Sequence, residues 1–296
     1  MVPESGLWAG TAQRICEVGN DGRQSATAER DWKRKMIGKR AFIPFVTAGY
    51  PDLDMTEKII LALAEAGSEA VEVGIPFSDP VADGPVIQES SHYALRHGYL
   101  MDDFLGMVRK IRSKSGVKLI FMTYLNPVLQ YGLEKLDLNG SMAGLDGILI
   151  SDLIPSEYRR LGRIRAAREQ SDPLPLFRSL KTVFLVAPNS DERRIEEACR
   201  ESTGYIYLLS RTGVTGGNAR LSESLEGRIR KVRERTSLPV AVGFGISSAA
   251  DVEYVWKYAD GAIVGSALVK FIGANLDDPE LDRKVYKYAK EALIPG

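Results

Sequence analysis

Eight short apolar segments, rich in β-branched residues, recur along the chain from Ala41 onward and alternate with longer amphipathic stretches. Such strands are typical of a parallel sheet covered by helices on both faces. The predicted strands are AFIPFVT (41–47), AVEVGI (70–75), KLIFMTY (118–124), GILISD (147–152), TVFLVA (182–187), GYIYLLS (204–210), PVAVGFG (239–245) and GAIVGS (261–266). The clearest helical segments are MTEKIILALAEAG (55–67), FLGMVRKIRSKSG (104–116), RRIEEACRES (193–202), LEGRIRKVRERT (225–236) and AADVEYVWKY (249–258). Eight strand–helix units predict an α/β fold that closes into a (β/α)8 TIM barrel, with an open doubly wound sheet as the alternative.

The domain organisation predicted from the sequence is a single barrel with a short N-terminal extension. No linker-like stretch interrupts the chain between Ala41 and Gly296, and 296 residues is a size that one barrel commonly reaches. Residues 1–25 are polar and contain Gly, Ser and Ala, so we expect a flexible extension there and the catalytic domain over 26–296. The Pro-containing connection EQSDPLPLFRSLK (169–181) is expected to be an exposed surface insertion.

Charge and cysteine content limit the class of partner and the compartment. Lys+Arg and Asp+Glu both number 39, which argues against general binding to nucleic acid or an anionic membrane. Two cysteines without metal-ligand spacing indicate a reducing compartment, and we expect a cytoplasmic protein. The sequence has no apolar run long enough to span a bilayer and no secretory signal pattern at its N-terminus.

Catalytic residues of such a barrel lie at the C-terminal ends of the strands. The polar residues at these positions include no histidine and no lysine, so acid–base chemistry falls to carboxylates. Glu72, inside an apolar strand, and Asp83, in the following Pro- and Gly-rich loop, are the candidates. A structural ion pair for Glu72 and a turn-forming role for Asp83 are the alternatives, and the second applies more strongly to Asp79 and Asp152. His92 and His97 lie in a helical stretch, where we expect surface or packing roles.

Glycine-bearing strand ends late in the chain predict a phosphate site. The segments SRTGVTGG (210–217), GFGISS (243–248) and VGSALVK (264–270) follow the last three strands. Glycine lets backbone N–H groups approach an anion, and a helix N-terminus adds a favourable dipole. No group of residues has the spacing of a metal site, so none is predicted. These residues alone indicate a lyase or isomerase of a phosphorylated metabolite.

The motifs together resemble the tryptophan synthase alpha family, in the same order and over residues 41–272. The segments that carry the resemblance are AFIPFVTAGYPD, VEVGIPFSDPVADGP, MTYLNPVLQYG, FLVAPNS, YIYLLSRTGVTGG, VGFGISS and GAIVGSALVK. The resemblance implies a carbon–carbon lyase that cleaves indole-3-glycerol phosphate into indole and glyceraldehyde 3-phosphate by a retro-aldol reaction. It also implies a PLP-dependent beta subunit as partner, in an α2β2 heterotetramer, and no cofactor in this chain itself.

The same resemblance implies roles for individual residues. Glu72 would shuttle a proton from the glyceryl hydroxyl to indole C3, and Asp83 would accept a hydrogen bond from the indole N–H. Thr215 would close over the substrate from the loop after the sixth strand. The residues implied for the phosphate are Gly216, Gly245, Gly265 and Ser266, and those for the indole pocket are Phe45, Ile87, Tyr124, Leu149, Tyr207 and Phe244.

Three alternatives to a two-subunit lyase stay open at this point. They are a stand-alone lyase that releases free indole, a catalytically silent regulatory partner of a beta subunit, and a different phosphate-binding barrel such as a sugar-phosphate isomerase. The chain also departs from the usual family pattern. Its N-terminal extension and its 169–181 connection are longer, Ile154 stands where proline is usual, and Tyr50 stands where many relatives have aspartate.

Overall fold

The structure is a computed structural model that describes residues 35–170, 175–210, 224–243 and 245–296. Nine parallel strands form its sheet. They are β1 (Ala41–Thr47), β2 (Ala70–Gly74), β3 (Lys118–Thr123), β4 (Gly147–Ile150), β5 (Lys181–Thr182), β6 (Phe184–Val186), β7 (Ile206–Leu209), β8 (Val240–Gly243) and β9 (Gly261–Val264). The expected boundary between residues 25 and 26 lies outside the described residues and stays a prediction.

The helices of the described residues run between and after these strands. They are α1 (Leu53–Ala66), α2 (Pro85–Leu95), α3 (Met101–Arg112), α4 (Leu125–Tyr131), α5 (Leu133–Ala143), α6 (Pro155–Glu169), α7 (Glu192–Glu201), α8 (Ser224–Arg233), α9 (Ala249–Trp256), α10 (Ser266–Gly273) and α11 (Leu281–Tyr288), followed by a π-helical turn (Ala289–Leu293). Local sequence explains the ends of α1, since the Asp52 carboxylate accepts the Met55 N–H at 2.7 Å and Gly67 ends the helix at φ +112°. In this described part, no helix has the length and apolar character needed to cross a membrane.

The strand order confirms the closed barrel and rules out the doubly wound sheet. The sheet runs β5-β4-β3-β2-β1-β9-β8-β7-β6, so its two ends are β5 and β6. These are the two halves of the predicted fifth strand, separated only by Val183. The first half pairs with β4 and the second with β7, so this one interrupted strand closes the circle.

Two hydrophobic clusters of buried residues form the core of the described barrel. The larger one packs the outward faces of the strands against the helices. The smaller one fills the barrel interior with side chains such as Ile43, Ile120 and Leu149. Met36, just before β1, belongs to the interior cluster, and its thioether lies where a Cβ on Gly147 or Gly204 would approach to 2.7 Å. Met36 therefore fills the space at the N-terminal end of the barrel.

The connection before β5 is not the exposed insertion that the sequence suggested. Leu176, Phe177 and Leu180 are buried, and the Asp137 carboxylate on α5 accepts the backbone N–H groups of residues 178–180 at 3.0 to 3.2 Å. The expectation was wrong for these residues because the apolar side chains of this segment pack into the core while Asp137 pairs its backbone. Polar composition before residue 175 concealed this from sequence reasoning.

Candidate active site

A narrow cleft lies at the C-terminal ends of β1 to β4. It is lined by Phe45, Thr47, Gly74, Ile75, Asp83, Ile87, Ser91, Met122, Tyr124 and Ser151. Four of the residues predicted from the sequence, Phe45, Asp83, Ile87 and Tyr124, therefore meet in one place. Half of its lining residues are apolar, which suits a site that holds an aromatic ring.

Glu72 lies in the barrel interior and does not line the cleft. It stands in register between Phe45 of β1 and Ile120 of β3, and it is 0% exposed. The Tyr205 hydroxyl donates a hydrogen bond of 2.5 Å to its Oε1. Its Oε2 is buried without a hydrogen-bond partner among the described residues. One carboxylate oxygen is therefore held by the protein and the other is left unpaired.

Burial raises the pKa of Glu72 from 4.5 to about 7, and the Tyr205 hydrogen bond lowers it only in part. No Lys or Arg of the described chain forms an ion pair that would hold this carboxylate ionised, which argues against the structural ion pair considered from sequence. A pKa near neutrality populates both protonation states, so the group can donate and accept a proton at physiological pH.

Asp83 is half-buried on the loop between β2 and α2. The Tyr124 hydroxyl donates to its Oδ2 at 2.9 Å and accepts the Ala82 N–H at 3.1 Å. Burial raises the pKa of Asp83 from 3.8 to about 6, and the hydrogen bond from Tyr124 offsets part of that rise. At neutral pH the carboxylate is mostly ionised and able to accept a hydrogen bond from a ligand.

Two side chains of α2 hold the ends of the Asp83 loop. At its start, Ser91 Oγ accepts the Phe77 N–H at 3.0 Å and donates to the Phe77 carbonyl at 3.2 Å. At its end, the Gln88 side-chain amide donates to the Asp83 carbonyl at 2.9 Å. The Phe77 ring also stacks on Tyr124, with ring centroids 5.1 Å apart. Sequence reasoning missed Gln88 and Ser91. They lie about one and two turns into the helix that directly follows the Asp83 loop, and polar side chains at such positions can hydrogen-bond to the loop backbone.

Two tyrosines at β7, Tyr205 and Tyr207, lie close to the acidic residues: Tyr205 hydrogen-bonds to Glu72, and Tyr207 is near the charges of Glu72 and Asp83. The Tyr207 side chain lies over Gly243, where an added Cβ would overlap the phenol. Burial, followed by the charges of Glu72 and Asp83, raises the pKa of Tyr207 well above its usual value. Tyr207 and Leu149 were expected at the indole pocket, and both belong to the interior cluster. Tyr205 was missed, although it lies directly before β7 and two residues before Tyr207, so the two side chains share the inward face.

The glycines expected at a phosphate site lie on the neighbouring arc of the barrel. Gly245 follows β8 with φ +78°, and Gly265 and Ser266 join β9 to α10. The N-terminus of α10 has no side-chain cap among the described residues, so its first N–H groups are oriented for an anion. β9 pairs with β1, which places this helix start beside the cleft. Thr215, Gly216 and Phe244 lie outside the described residues.

Other candidates have structural roles. The Asp152 carboxylate accepts the Leu125 N–H at 2.7 Å and so caps the start of α4. His92 and His97 are exposed, as the sequence suggested. Within the residues that the structure describes, no three His, Cys, Asp or Glu side chains come together as a metal site would require.

Comparison with known proteins agrees with this fold. A family model described as Tryptophan synthase alpha chain matches residues 32–293. The tryptophan synthase alpha chain of Solibacter usitatus is 41% identical over 257 residues, which cover 87% of this chain and 92% of the relative. The corresponding chain of Geotalea daltonii is 42% identical over 232 residues, 78% of this chain and 84% of the relative. A solved structure of the tryptophan synthase α2β2 complex from Pyrococcus furiosus has a chain with TM-score 0.75 and 36% identity, covering 86% of this chain and 98% of that chain. The chain therefore belongs to the tryptophan synthase alpha chain family, the lyases of tryptophan biosynthesis.

Proposed function

We propose that the chain cleaves indole-3-glycerol phosphate into indole and glyceraldehyde 3-phosphate, with Glu72 and Asp83 as its acid–base pair. The observation that carries this proposal is a pair of carboxylates with raised pKa values, Glu72 near 7 in the barrel interior and Asp83 near 6 in the cleft at the barrel mouth. An uncapped helix N-terminus beside the same cleft supports a phosphorylated substrate.

In the proposed reaction Glu72 starts protonated and gives its proton to indole C3. The ring then carries a positive charge, which the ionised Asp83 stabilises through the indole N–H. Glu72, now ionised, takes the proton of the glyceryl hydroxyl, and the electron pair of that O–H bond forms the aldehyde carbonyl. The bond between C3 and the glyceryl carbon breaks, and its electrons restore the aromatic ring. Glu72 ends protonated, so the cycle is balanced.

The unpaired Oε2 of Glu72 is the oxygen available for this proton transfer, since Oε1 is held by Tyr205. Because Glu72 is closed off from solvent, water cannot compete for the proton. The proposed chemistry uses only side chains of this chain and calls for no metal or cofactor in it.

The remaining contacts follow the two arcs of the barrel. We assign the indole ring to the cleft formed by Phe45, Ile87 and Tyr124, with Leu149 and Tyr207 beneath it. The phosphate is assigned to Gly245, Gly265 and Ser266. Thr215, Gly216 and Phe244 complete these assignments on the family resemblance alone.

A PLP-dependent beta subunit is the proposed partner, in an α2β2 assembly that passes indole onward. The solved Pyrococcus furiosus complex supports this for a chain of the same fold. Val81, on the Asp83 loop, is 82% exposed, and Ile154 after β4 is 57% exposed, so apolar side chains are available on the same face as the cleft. A cytoplasmic location is part of the proposal and accords with the buried free thiol of Cys199.

The test is indole release from indole-3-glycerol phosphate by the purified chain, with and without a tryptophan synthase beta subunit. Slow release that rises strongly with the partner supports the two-subunit lyase. Fast release without the partner would instead indicate a stand-alone lyase. Absence of release in both conditions would refute the catalytic proposal and favour a silent regulatory partner. Glu72→Gln and Asp83→Asn should each lower turnover by several orders of magnitude while circular dichroism remains native.

A further inference from the structure

Ser151 lies at the mouth of the barrel, directly after β4. Its backbone N–H donates to the Thr123 carbonyl at 2.8 Å, which continues the pairing of β4 with β3 by one residue. Because side chains alternate along a strand, Ser151 shares the inward face with Leu149. It accordingly lines the same cleft as Asp83 and Tyr124.

Five side chains of the cleft lining can form hydrogen bonds, and the protein itself satisfies four of them. Thr47 pairs with Ser90 at 2.7 Å, Ser91 holds the Phe77 backbone, and Tyr124 donates to Asp83 at 2.9 Å. The Ser151 hydroxyl is buried and has no hydrogen-bond partner within the described parts of the chain. The rest of the lining is apolar and offers it none.

A buried hydroxyl without a partner destabilises a protein, so its presence in a ligand cleft calls for a ligand atom that pairs with it. Under the proposed function, Asp83 takes the N–H of the indole ring, and every other ring position of indole is carbon. Unsubstituted indole therefore leaves Ser151 unpaired. An indole that carries a hydroxyl or amino group on its benzo ring supplies the missing donor or acceptor.

We propose that Ser151 is a specificity-determining residue that favours indole rings with a hydrogen-bonding substituent. This inference rests on the proposed function and names a wider substrate class for the same cleft. A site that hydrogen-bonds a substrate group discriminates against analogues that lack the group more strongly than an apolar pocket discriminates by size. The effect should appear at the one ring position that faces β4.

The experiment measures the reverse condensation of indoles with glyceraldehyde 3-phosphate by wild type, Ser151→Ala and Ser151→Thr. Hydroxyindoles substituted at each of the four benzo positions are compared with fluoroindoles of the same substitution, because fluorine is a weak acceptor and no donor. At one ring position, the ratio of kcat/KM for the hydroxy to the fluoro compound should fall about tenfold in Ser151→Ala. Ser151→Thr keeps the hydroxyl and should keep the preference, which separates hydrogen bonding from any change in packing.

A ratio that is the same in wild type and Ser151→Ala at all four positions would overturn this inference and leave the lyase proposal intact. Failure of the wild-type chain to condense even unsubstituted indole would count against the lyase proposal itself. Circular dichroism of each variant verifies that the compared proteins are folded.

Discussion

Replacing Glu72 by glutamine should stabilise the folded protein, and the gain should grow with pH. The carboxyl group is fully buried, and its pKa is about 7 in the folded protein against an ordinary value of 4.5. Between these two values the folded chain binds more protons than the unfolded chain. The free energy of unfolding therefore falls as pH rises from about 4.5 to about 7, by on the order of 3 kcal/mol in total. Glutamine keeps the shape and an acceptor for Tyr205 without the charge.

Equilibrium urea unfolding of wild type and Glu72→Gln at pH 5 and pH 8 measures this effect. The stability advantage of the variant should be about 2.5 kcal/mol larger at pH 8 than at pH 5, since most of the ionisation cost arises between them. Taking the difference between the two proteins removes the contribution of groups that they share, including Asp83. Glu65→Gln, on an exposed position of α1, is the matched control. An equal difference at both pH values would refute the reasoning, because Glu72 would then ionise alike in the folded and unfolded chains.

Two further substitutions test other contacts. Tyr124→Phe removes the hydrogen bond that favours the ionised form of Asp83, so the pKa of Asp83 should rise above about 6. The acidic limb of the pH profile of kcat/KM should then move up by about one pH unit. Tyr131→Phe is the control, because the Tyr131 hydroxyl donates to Asp102 at the surface, and an acidic limb that does not move in Tyr124→Phe would contradict the role of Tyr124. Met36→Ala should destabilise the fold by about 2–5 kcal/mol in urea unfolding, because it leaves a cavity at the N-terminal end of the barrel. Met36→Leu should cost much less, because it keeps most of the side-chain volume. Equal losses of stability in the two variants would argue against a packing role for Met36.

Much of the fold was predictable because the eight apolar runs are short and their spacing is regular. Glu72 was predictable because a carboxylate between Val71 and Val73 has few explanations, and the Asp83 loop because of its composition. The contacts that set the pKa values of these two carboxyl groups could not be predicted from the sequence. Tyr205 reaches Glu72 across 133 positions of sequence, and only the closed strand order brings the two together.

The missed packing features have the same physical origin. Where Leu176, Phe177 and Leu180 are buried, the backbone of residues 178–180 pairs with one carboxylate, Asp137, on a helix about forty positions earlier. Local composition carries no sign of that pairing. The interruption of the fifth strand at Val183 is likewise set by the two different neighbours that its halves must pair with.

That interruption divides the barrel into two arcs that share β1. One arc, from β1 to β5, carries the cleft with Asp83 and Tyr124, and the other, from β6 through β9 to β1, carries Gly245 and the start of α10. A substrate with its ring in the first arc and its phosphate on the second would contact both arcs and link them non-covalently. Because such a substrate binds only when both arcs are in place, its binding would stabilise the closed barrel against unfolding.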